Sequence, residues 1–158
     1  MTKLITPDHI FDLTSVSEPS LSPDGSTLVF VKITVDRETM TRESRIMVSS
    51  QPFDEKSALT DGTSDSSPTI SPDGAKVAFL RSDERGKKQI CMSDLSGGEP
   101  RQVSDLPGGT SEPAWSPNGN SIAVVSSVDP DNRDDTWFPQ TKVVRRIRYR
   151  HDHRGYTG

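Results

Sequence analysis

The sequence predicts an all-β protein: a partial β-propeller of four-stranded antiparallel blades, with two complete units, part of a third, and a short N-terminal helix. One 13-residue segment occurs three times without gaps, at residues 19–31, 68–80 and 113–125. The copies start 49 and 45 residues apart, and a repeat of that length is typical of a propeller blade. A β-sandwich of eight to twelve strands with similar hairpins is the alternative.

The chain opens with a predicted helix of one or two turns at residues 6–13. Thr6 can cap its start, and Pro7 suits the first helical position because its fixed φ is already helical. Asp8 stands where the helix dipole favours a negative charge. We expect this short helix to cover an edge or to pack on a neighbouring element.

Each repeat contains Ser-Pro-Asp-Gly or Ser-Pro-Asn-Gly, which predicts a tight turn. Pro presets φ at the second position, Asp or Asn tolerates the third, and Gly takes a positive φ at the fourth. This is the chemistry of a hairpin built on a type I turn with a left-handed residue after it. Calcium ligation by the Asp24, Asp73 and Asn118 series is disfavoured, because one oxygen per repeat does not make a cation loop.

Four consecutive apolar residues follow each turn, at 28–31, 77–80 and 122–125. A strand that is apolar at successive positions is predicted to be buried on both faces, with another sheet packed on each side. Before each turn a short strand carries one inward apolar residue. These three residues are Leu21, Ile70 and Trp115.

Two further strands complete each of the first two units. They are predicted at residues 45–49 and 57–60 in the first unit, and at 89–93 and 101–104 in the second. The predicted organisation is a lead-in at 1–17 and blades at 18–65, 66–110 and 111–158, the last incomplete.

After residue 128 the repeat pattern breaks. Residues 129–136 read as a charged loop, 142–150 as the third strand of the third blade, and 151–158 as a turn leading onward. A propeller closes with about four to eight blades, so we expect an N-terminal fragment of a longer protein. An open stack leaves sheet faces uncovered, and we therefore expect marginal stability or self-association into a homo-oligomer.

Composition sets the remaining limits. Only 30% of the residues are hydrophobic, and no apolar run approaches the roughly 18 residues that span a bilayer, so we expect no membrane partner. The N-terminus shows no apolar secretion signal, and the single cysteine, Cys91, cannot form an internal disulfide. These features favour a cytoplasmic setting.

Charge is distributed unevenly along the chain. Residues 141–158 carry a net charge of +5 and residues 1–140 a net charge of −9. Arginines alternate with tyrosines near Tyr149 and Tyr156, which would suit stacking on nucleic acid, but the acidic body argues against a polyanion. We predict no nucleic-acid partner. These arginines either form a solvated face of a strand or bind the carboxylate of a peptide.

The remaining candidate residues for metal binding or chemistry are interpreted mainly as structural. His151 and His153 could pair on a metal, but only His9 remains as a further histidine, so we predict no metal site and no cofactor. Cys91 reads as a buried thiol and Trp115 as core packing. Trp137, outside the repeat, is a plug under its loop or a contact to substrate or to another domain.

The repeated pattern hydrophobic-Ser-Pro-Asp-Gly-x-x-hydrophobic-hydrophobic-Phe resembles the TolB-like propeller repeats. The resemblance covers residues 6–158. Such repeats occur in the periplasmic protein TolB, a binding module, and in the N-terminal propeller of prolyl-oligopeptidase-type serine peptidases. The lead-in at residues 6–19 looks like the start of these enzymes, which include dipeptidyl aminopeptidases and acylaminoacyl peptidases. The basic segment at 142–156 is similar to the Arg- and Tyr-rich segment in the third blade of acylaminoacyl-peptidase-like members.

The peptidase resemblance implies a propeller that gates and size-selects peptides for a C-terminal α/β-hydrolase domain. The Ser/Asp/His triad of that family cannot be placed here, because the sequence contains no Gly-x-Ser-x-Gly elbow. We therefore assign no catalytic residue to these 158 residues, and we identify no substrate-binding residue. The alternative is a non-enzymatic TolB-like propeller that binds a protein partner.

Overall fold

The Ser-Pro-Asp-Gly and Ser-Pro-Asn-Gly segments close three hairpins of the same geometry. In each, the amide of the turn glycine donates to the carbonyl of the turn serine at 2.9 Å. The glycines Gly25, Gly74 and Gly119 have φ of 73°, 72° and 71°, a region that L side chains rarely occupy. The predicted turn chemistry is therefore present in all three repeats.

The computed structural model of the chain describes residues 6–128, together with the backbone of residues 150–151 and 155–156. Two antiparallel four-stranded sheets and one two-stranded sheet follow one another in residues 6–128. The first contains β1 (Ser15–Leu21), β2 (Thr27–Val35), β3 (Arg42–Ser50) and β4 (Ser57–Ala58). The second contains β5 (Ser66–Ile70), β6 (Lys76–Ser82), β7 (Lys88–Asp94) and β8 (Arg101–Gln102), and the third β9 (Ser111–Trp115) and β10 (Ile122–Val125).

This arrangement confirms the predicted fold class. Strands pair in chain order within every sheet, and the first strands β1, β5 and β9 of successive sheets lie side by side. The three repeats therefore form successive sheets, as propeller blades do.

A 3-10 helix at Pro7–Asp12 precedes the first sheet, as the Thr6-Pro7 start predicts. The backbone amide of Thr6 donates to Nδ1 of His9 at 2.8 Å, and the His9 amide donates to the Thr6 carbonyl at 3.1 Å. The Arg37 guanidinium lies 4.7 Å from the centroid of the Phe11 ring, which ties the helix to the β2–β3 loop.

The hydrophobic core lies between the sheets. One cluster joins the first and second sheets and consists of Val29, Ile46, Leu59, Ile70, Val77, Phe79 and Cys91. A second cluster contains Ala78, Leu80 and Ile90, and it packs against Trp115, Ile122 and Val124 of the third sheet. The second sheet is thus covered on both faces.

The prediction that each apolar run is buried on both faces is confirmed for residues 77–80. It is wrong for residues 28–31 and 122–125. Leu28 and Phe30 are half-buried, and Ala123 and Val125 are exposed. The physical reason is position in the stack: the described residues cover only one face of the first sheet and one face of the third.

Residues 129–158 form a second unit. In it β11 (Arg150–His151) pairs antiparallel with β12 (Gly155–Tyr156). The predicted third strand at 142–149, the Trp137 segment and the side chains of His151 and His153 lie outside the described residues. Within the described part of the chain, no helix is long and apolar enough to cross a membrane.

Candidate functional site at the crossover between the first two sheets

The two long edges of the stack differ in what they carry. The Ser-Pro-Asp-Gly turns and the β3–β4 turn share one edge, where the Gln51 amide donates to the Ser26 carbonyl at 2.9 Å. The opposite edge carries the β2–β3 and β6–β7 loops and the segments that pass from one sheet to the next, because successive strands are antiparallel. We call it the crossover edge, and the charged residues of the candidate site lie along it.

A buried ion pair lies where the chain passes from the first sheet to the second. Arg81 Nε donates to Oδ1 of Asp65 at 2.7 Å, and Arg81 Nη2 donates to Oδ2 at 2.9 Å. Asp65 is fully buried, and the Arg81 side chain is 25% exposed. The bonds to Asp65 raise the pKa of Arg81 above its ordinary value. Charges at such a depth require a partner, and this geometry provides one.

Neighbouring groups complete the coordination of the Asp65 carboxylate. The Thr60 hydroxyl donates to Oδ2 at 2.5 Å and accepts the Ile46 amide at 3.1 Å. Gly62 leaves the room for this arrangement, since a Cβ there would lie 2.5 Å from Arg81 Nη2 and 2.6 Å from Asp65 Oδ1. The network links a strand of the first sheet to a strand of the second.

Next to this pair, Lys88 extends from the start of β7. Its ammonium donates to the Ser64 carbonyl. Partial burial lowers the pKa of Lys88, while the negative charges of Asp65 and Glu18 act in the opposite direction. Lys88 is therefore a cation held at the junction of two sheets.

Glu18 supplies a direct bond between the first strands of the two sheets. Its Oε2 accepts the backbone amide of Ser67 at 2.5 Å. Glu18, Ser67 and Glu112 occupy the same repeat position, immediately before a proline, and have φ of 53°, 51° and 52°. Pairing of each of these three strands with its neighbour shifts register at this point, as at a β-bulge.

These residues surround an open cleft of about 270 Å³ between the first and second sheets. Its lining combines the cations Arg42 and Lys88 with the anions Glu18 and Asp65 and with the hydroxyls of Ser17, Ser44, Thr63, Ser64 and Ser66. Carboxylate, amine and amide groups could all find partners in such a cleft. His9, the one histidine among residues 6–128, bonds Thr6 in the helix cap, and so it activates none of the cleft hydroxyls.

The residues singled out from the sequence lie elsewhere. Cys91 is 4% exposed between the first two sheets, and burial raises its pKa. Trp115 packs on the second sheet and donates from Nε1 to the Thr69 carbonyl at 3.0 Å. Among the residues described, no group of three or more His, Cys, Asp and Glu side chains could hold a metal ion.

The turn oxygens of the repeats bond their own turns. Asp24 Oδ1 accepts the Ser22 hydroxyl at 2.6 Å and the Ser26 amide at 3.0 Å. The Ser22 bond is the largest influence that lowers the pKa of Asp24, to about 2. Asn118 accepts the Ser116 hydroxyl and the Asn120 amide in the same way, at 2.7 and 3.1 Å.

Sequence reasoning missed Glu18, Asp65, Arg81 and Lys88. Two of these residues hold recognisable places in the repeat. Arg81 directly follows the apolar run at 77–80. Asp65 stands three residues before a repeat proline, which is the position of Thr110 in the next repeat. A charged residue beside a predicted buried strand requires a partner, and both Asp61 and Asp65 stand in the preceding crossover, so the sequence alone does not choose between them.

Comparison with known proteins relates the chain to peptidases. No protein-family model matches it. It is 33% identical to the uncharacterized peptidase YuxL of Bacillus subtilis strain 168, over 99% of this chain and 25% of that protein. The chain thus spans a quarter of the length of this relative. It is also 32% identical to the Tol-Pal system protein TolB of Nitratidesulfovibrio vulgaris, over 46% of this chain and 16% of TolB.

Solved structures agree on the fold. The acylaminoacyl peptidase of Pyrococcus horikoshii is similar with a TM-score of 0.66 and 21% identity, over 85% of this chain and 21% of that one. The β-propeller domain of the Trilobed protease from Pyrococcus furiosus is similar with a TM-score of 0.59 and 20% identity, over 72% of this chain and 34% of that one. The chain is therefore composed of β-propeller blades, and its sequence is similar to that of a peptidase along almost its whole length.

Proposed function

We propose that this chain forms the opening blades of a propeller that controls the access of peptides to the hydrolase domain of a prolyl-oligopeptidase-type serine peptidase. The observation that carries the proposal is the 33% identity to a peptidase along 99% of the chain. The stacked sheets agree with it, because blades of this kind surround a central channel in a closed ring.

A barrier that selects substrates by size has to be rigid. The crossover between the first two sheets is fixed by the Asp65–Arg81 pair and by the Glu18 bond to the Ser67 amide. The cleft beside them offers Lys88 and Arg42 to a carboxylate and Glu18 to an amine. In this proposal the blades hold the opening at a fixed width, and the mixed charges of the cleft suit the two ends of a short peptide.

The test uses the full-length protein. A serine-reactive fluorophosphonate should label it, and a ladder of peptides that share one scissile residue should be cleaved progressively more slowly as their length grows. Arg81→Ala should loosen the crossover and raise the ratio of long-peptide to short-peptide cleavage. Arg85→Ala is the matched control, since Arg85 is an exposed arginine on the same edge. Absence of labelling, or cleavage independent of length in the parent protein, would refute the proposal.

The second candidate is a non-enzymatic propeller that binds a protein partner. The 32% identity to TolB over 72 residues favours it. A full-length protein that the fluorophosphonate does not label, and that forms a stable complex with a second protein through its loops, would establish this alternative.

A further inference from the structure

The turn of the third repeat differs from the other two at one position. Asp24 and Asp73 hold the third place of their turns, whereas Asn118 holds it in the third repeat, and glycine follows each of them. Asparagine before glycine is prone to spontaneous deamidation, because a residue without a side chain leaves its backbone nitrogen unhindered. The chain contains three asparagines, and only Asn118 precedes a glycine. Asn118 is exposed, so water has access to it.

Deamidation at this position is an internal displacement followed by hydrolysis. The Gly119 backbone nitrogen gives up its proton to water and attacks Cγ of Asn118, and ammonia leaves as the new C–N bond forms. Water, the only co-reactant, then opens the resulting cyclic imide. Breaking the new bond gives aspartate, whereas breaking the original peptide bond gives isoaspartate, in which the main chain runs through the side chain.

The folded turn holds the attacking nitrogen in a hydrogen bond. The Gly119 amide donates to the Ser116 carbonyl at 2.9 Å. In a type I turn of this kind the residue at the third place has a ψ of about 0°. Closure of the imide ring requires Asn118 to rotate well away from that value, so the imide forms only after the turn has opened.

The asparagine side chain is held as well. Oδ1 of Asn118 accepts the Ser116 hydroxyl at 2.7 Å and the Asn120 amide at 3.1 Å. The same hydroxyl accepts the Ser121 amide at 3.0 Å, which ties the turn to the start of the following strand. Ser116 thus bonds both reacting groups, the nitrogen through its carbonyl and the side chain through its hydroxyl.

We propose that Asn118 is a site of spontaneous deamidation that is gated by the opening of its turn, and that the closed turn accepts the aspartate product. The second repeat shows how the product is accommodated. Asp73 Oδ1 accepts the Ser71 hydroxyl at 2.5 Å and the Ala75 amide at 3.1 Å, which are the bonds that Asn118 accepts in its own turn. Isoaspartate adds an atom to the main chain and cannot keep this pattern. Conversion to aspartate therefore leaves the third hairpin closed, and conversion to isoaspartate opens it.

The neighbouring turn provides a precedent for the added charge. A Cβ on Gly119 would lie 3.7 Å from Cδ of Pro72, and one on Gly74 would lie 3.9 Å from Cδ of Pro23. The third turn thus meets the second as the second meets the first. Both turns of that first pair already carry an aspartate.

The experiment follows Asn118 by peptide mapping and mass spectrometry in water enriched in heavy oxygen, where each hydrolysed imide acquires the label. The protein is incubated at mildly alkaline pH in buffer and in urea above its unfolding transition. Labelling should be at least about tenfold slower in buffer, because the turn must open first. Asn118→Gln should remove the label, since its longer side chain would have to close a larger ring. Equal rates in the two solvents, or no label at Asn118 in urea, would overturn the proposal.

Ser116→Ala separates gating by this turn from general loss of folding. It removes the hydroxyl that holds Asn118 Oδ1, so labelling in buffer should become roughly threefold to tenfold faster. Ser22→Ala is the matched control, because the Ser22 hydroxyl donates to Asp24 and accepts the Thr27 amide in the same way, and it should leave the Asn118 rate unchanged. Circular dichroism checks that both variants keep the parent's strand content. No acceleration in Ser116→Ala, or the same acceleration in both variants, would overturn gating by the turn.

Asn118→Asp tests whether the turn accepts the product. At neutral pH this variant should keep the parent's urea midpoint, since an aspartate makes the same two bonds in the second repeat. Protein that has aged in urea and is returned to buffer should separate into a fraction of parent stability that contains aspartate and a less stable fraction that isoaspartyl methyltransferase modifies. A clearly lower midpoint for Asn118→Asp, or isoaspartate in the stable fraction, would overturn this part of the proposal.

Discussion

Arg81 and Asp65 form a two-bond ion pair, at 2.7 and 2.9 Å, between a strand of the second sheet and the segment that leads into it. Asp65 has no exposed surface, and the Thr60 hydroxyl bonds one of its oxygens at 2.5 Å. The pair therefore fixes the crossover from one blade to the next, and its loss should affect the whole stack.

Arg81→Ala should lower the free energy of unfolding by about 3 kcal/mol, because it leaves a buried carboxylate without its cation. Urea unfolding followed by circular dichroism measures the change. Arg85→Ala should change the free energy of unfolding far less than Arg81→Ala, since Arg85 is 53% exposed and its ion pairs are screened by solvent. Equal losses in the two variants would show that the buried pair has no special role.

Two phenylalanines at the same repeat position should respond differently to truncation. Phe79→Ala should destabilise the chain by about 3 to 5 kcal/mol, because Phe79 is fully buried between two sheets. Phe30→Ala should cost about 1 kcal/mol, because Phe30 is half-buried on the face of the first sheet that no other described sheet covers. Similar losses in urea unfolding would contradict the order of the sheets in the stack.

The Asp24 turn should respond to acid. Its folded pKa of about 2 lies below the ordinary 3.8, so its contribution to stability is present above pH 4 and is lost as the pH falls toward 2. Asp24→Asn should therefore lose less stability than the parent between about pH 5 and about pH 2, as measured by the urea midpoint.

The third repeat offers the reverse substitution. Asn118 accepts the same two bonds as Asp24, from Ser116 and Asn120. Asn118→Asp should consequently add acid sensitivity to the unfolding midpoint. A midpoint whose pH dependence is identical in the parent and both variants would argue against a stabilising carboxylate in these turns.

Cys91 should react slowly with thiol reagents in the native chain. It is 4% exposed, and burial raises its pKa, so both access and thiolate formation are reduced. Labelling by a chromogenic disulfide reagent should accelerate steeply through the urea transition. Fast labelling of the native chain would show that the first two sheets open apart.

The repeat made the blades predictable from sequence. Ser-Pro-Asp-Gly specifies its own hairpin through local chemistry, and Gly25, Gly74 and Gly119 adopt the positive φ that the turn needs. The apolar run at 77–80 correctly predicts a strand whose two faces are both covered by neighbouring sheets. The identical pattern at 28–31 cannot reveal that Leu28 and Phe30 are left half-exposed, because that depends on the place of the blade in the stack.

The crossover cleft was not predictable in the same way. Glu18, Asp65, Arg81 and Lys88 come from four different segments, and no fixed spacing in the chain connects them. Their proximity depends on how two sheets pack and on a bulge that places Glu18 against the Ser67 amide. Pairings of that kind arise from tertiary geometry, and a single sequence contains only the requirement that a buried charge find a partner.

The central claim is that the three repeats form successive sheets that pack face to face. Nuclear Overhauser contacts in the 158-residue chain test it most directly. The account predicts contacts from the Phe79 ring to the methyl groups of Val29 and Ile46, and from the Trp115 ring to those of Leu80 and Ile90. Backbone contacts that join β2, β6 and β10 as neighbours in one sheet, without these ring-to-methyl contacts, would contradict it.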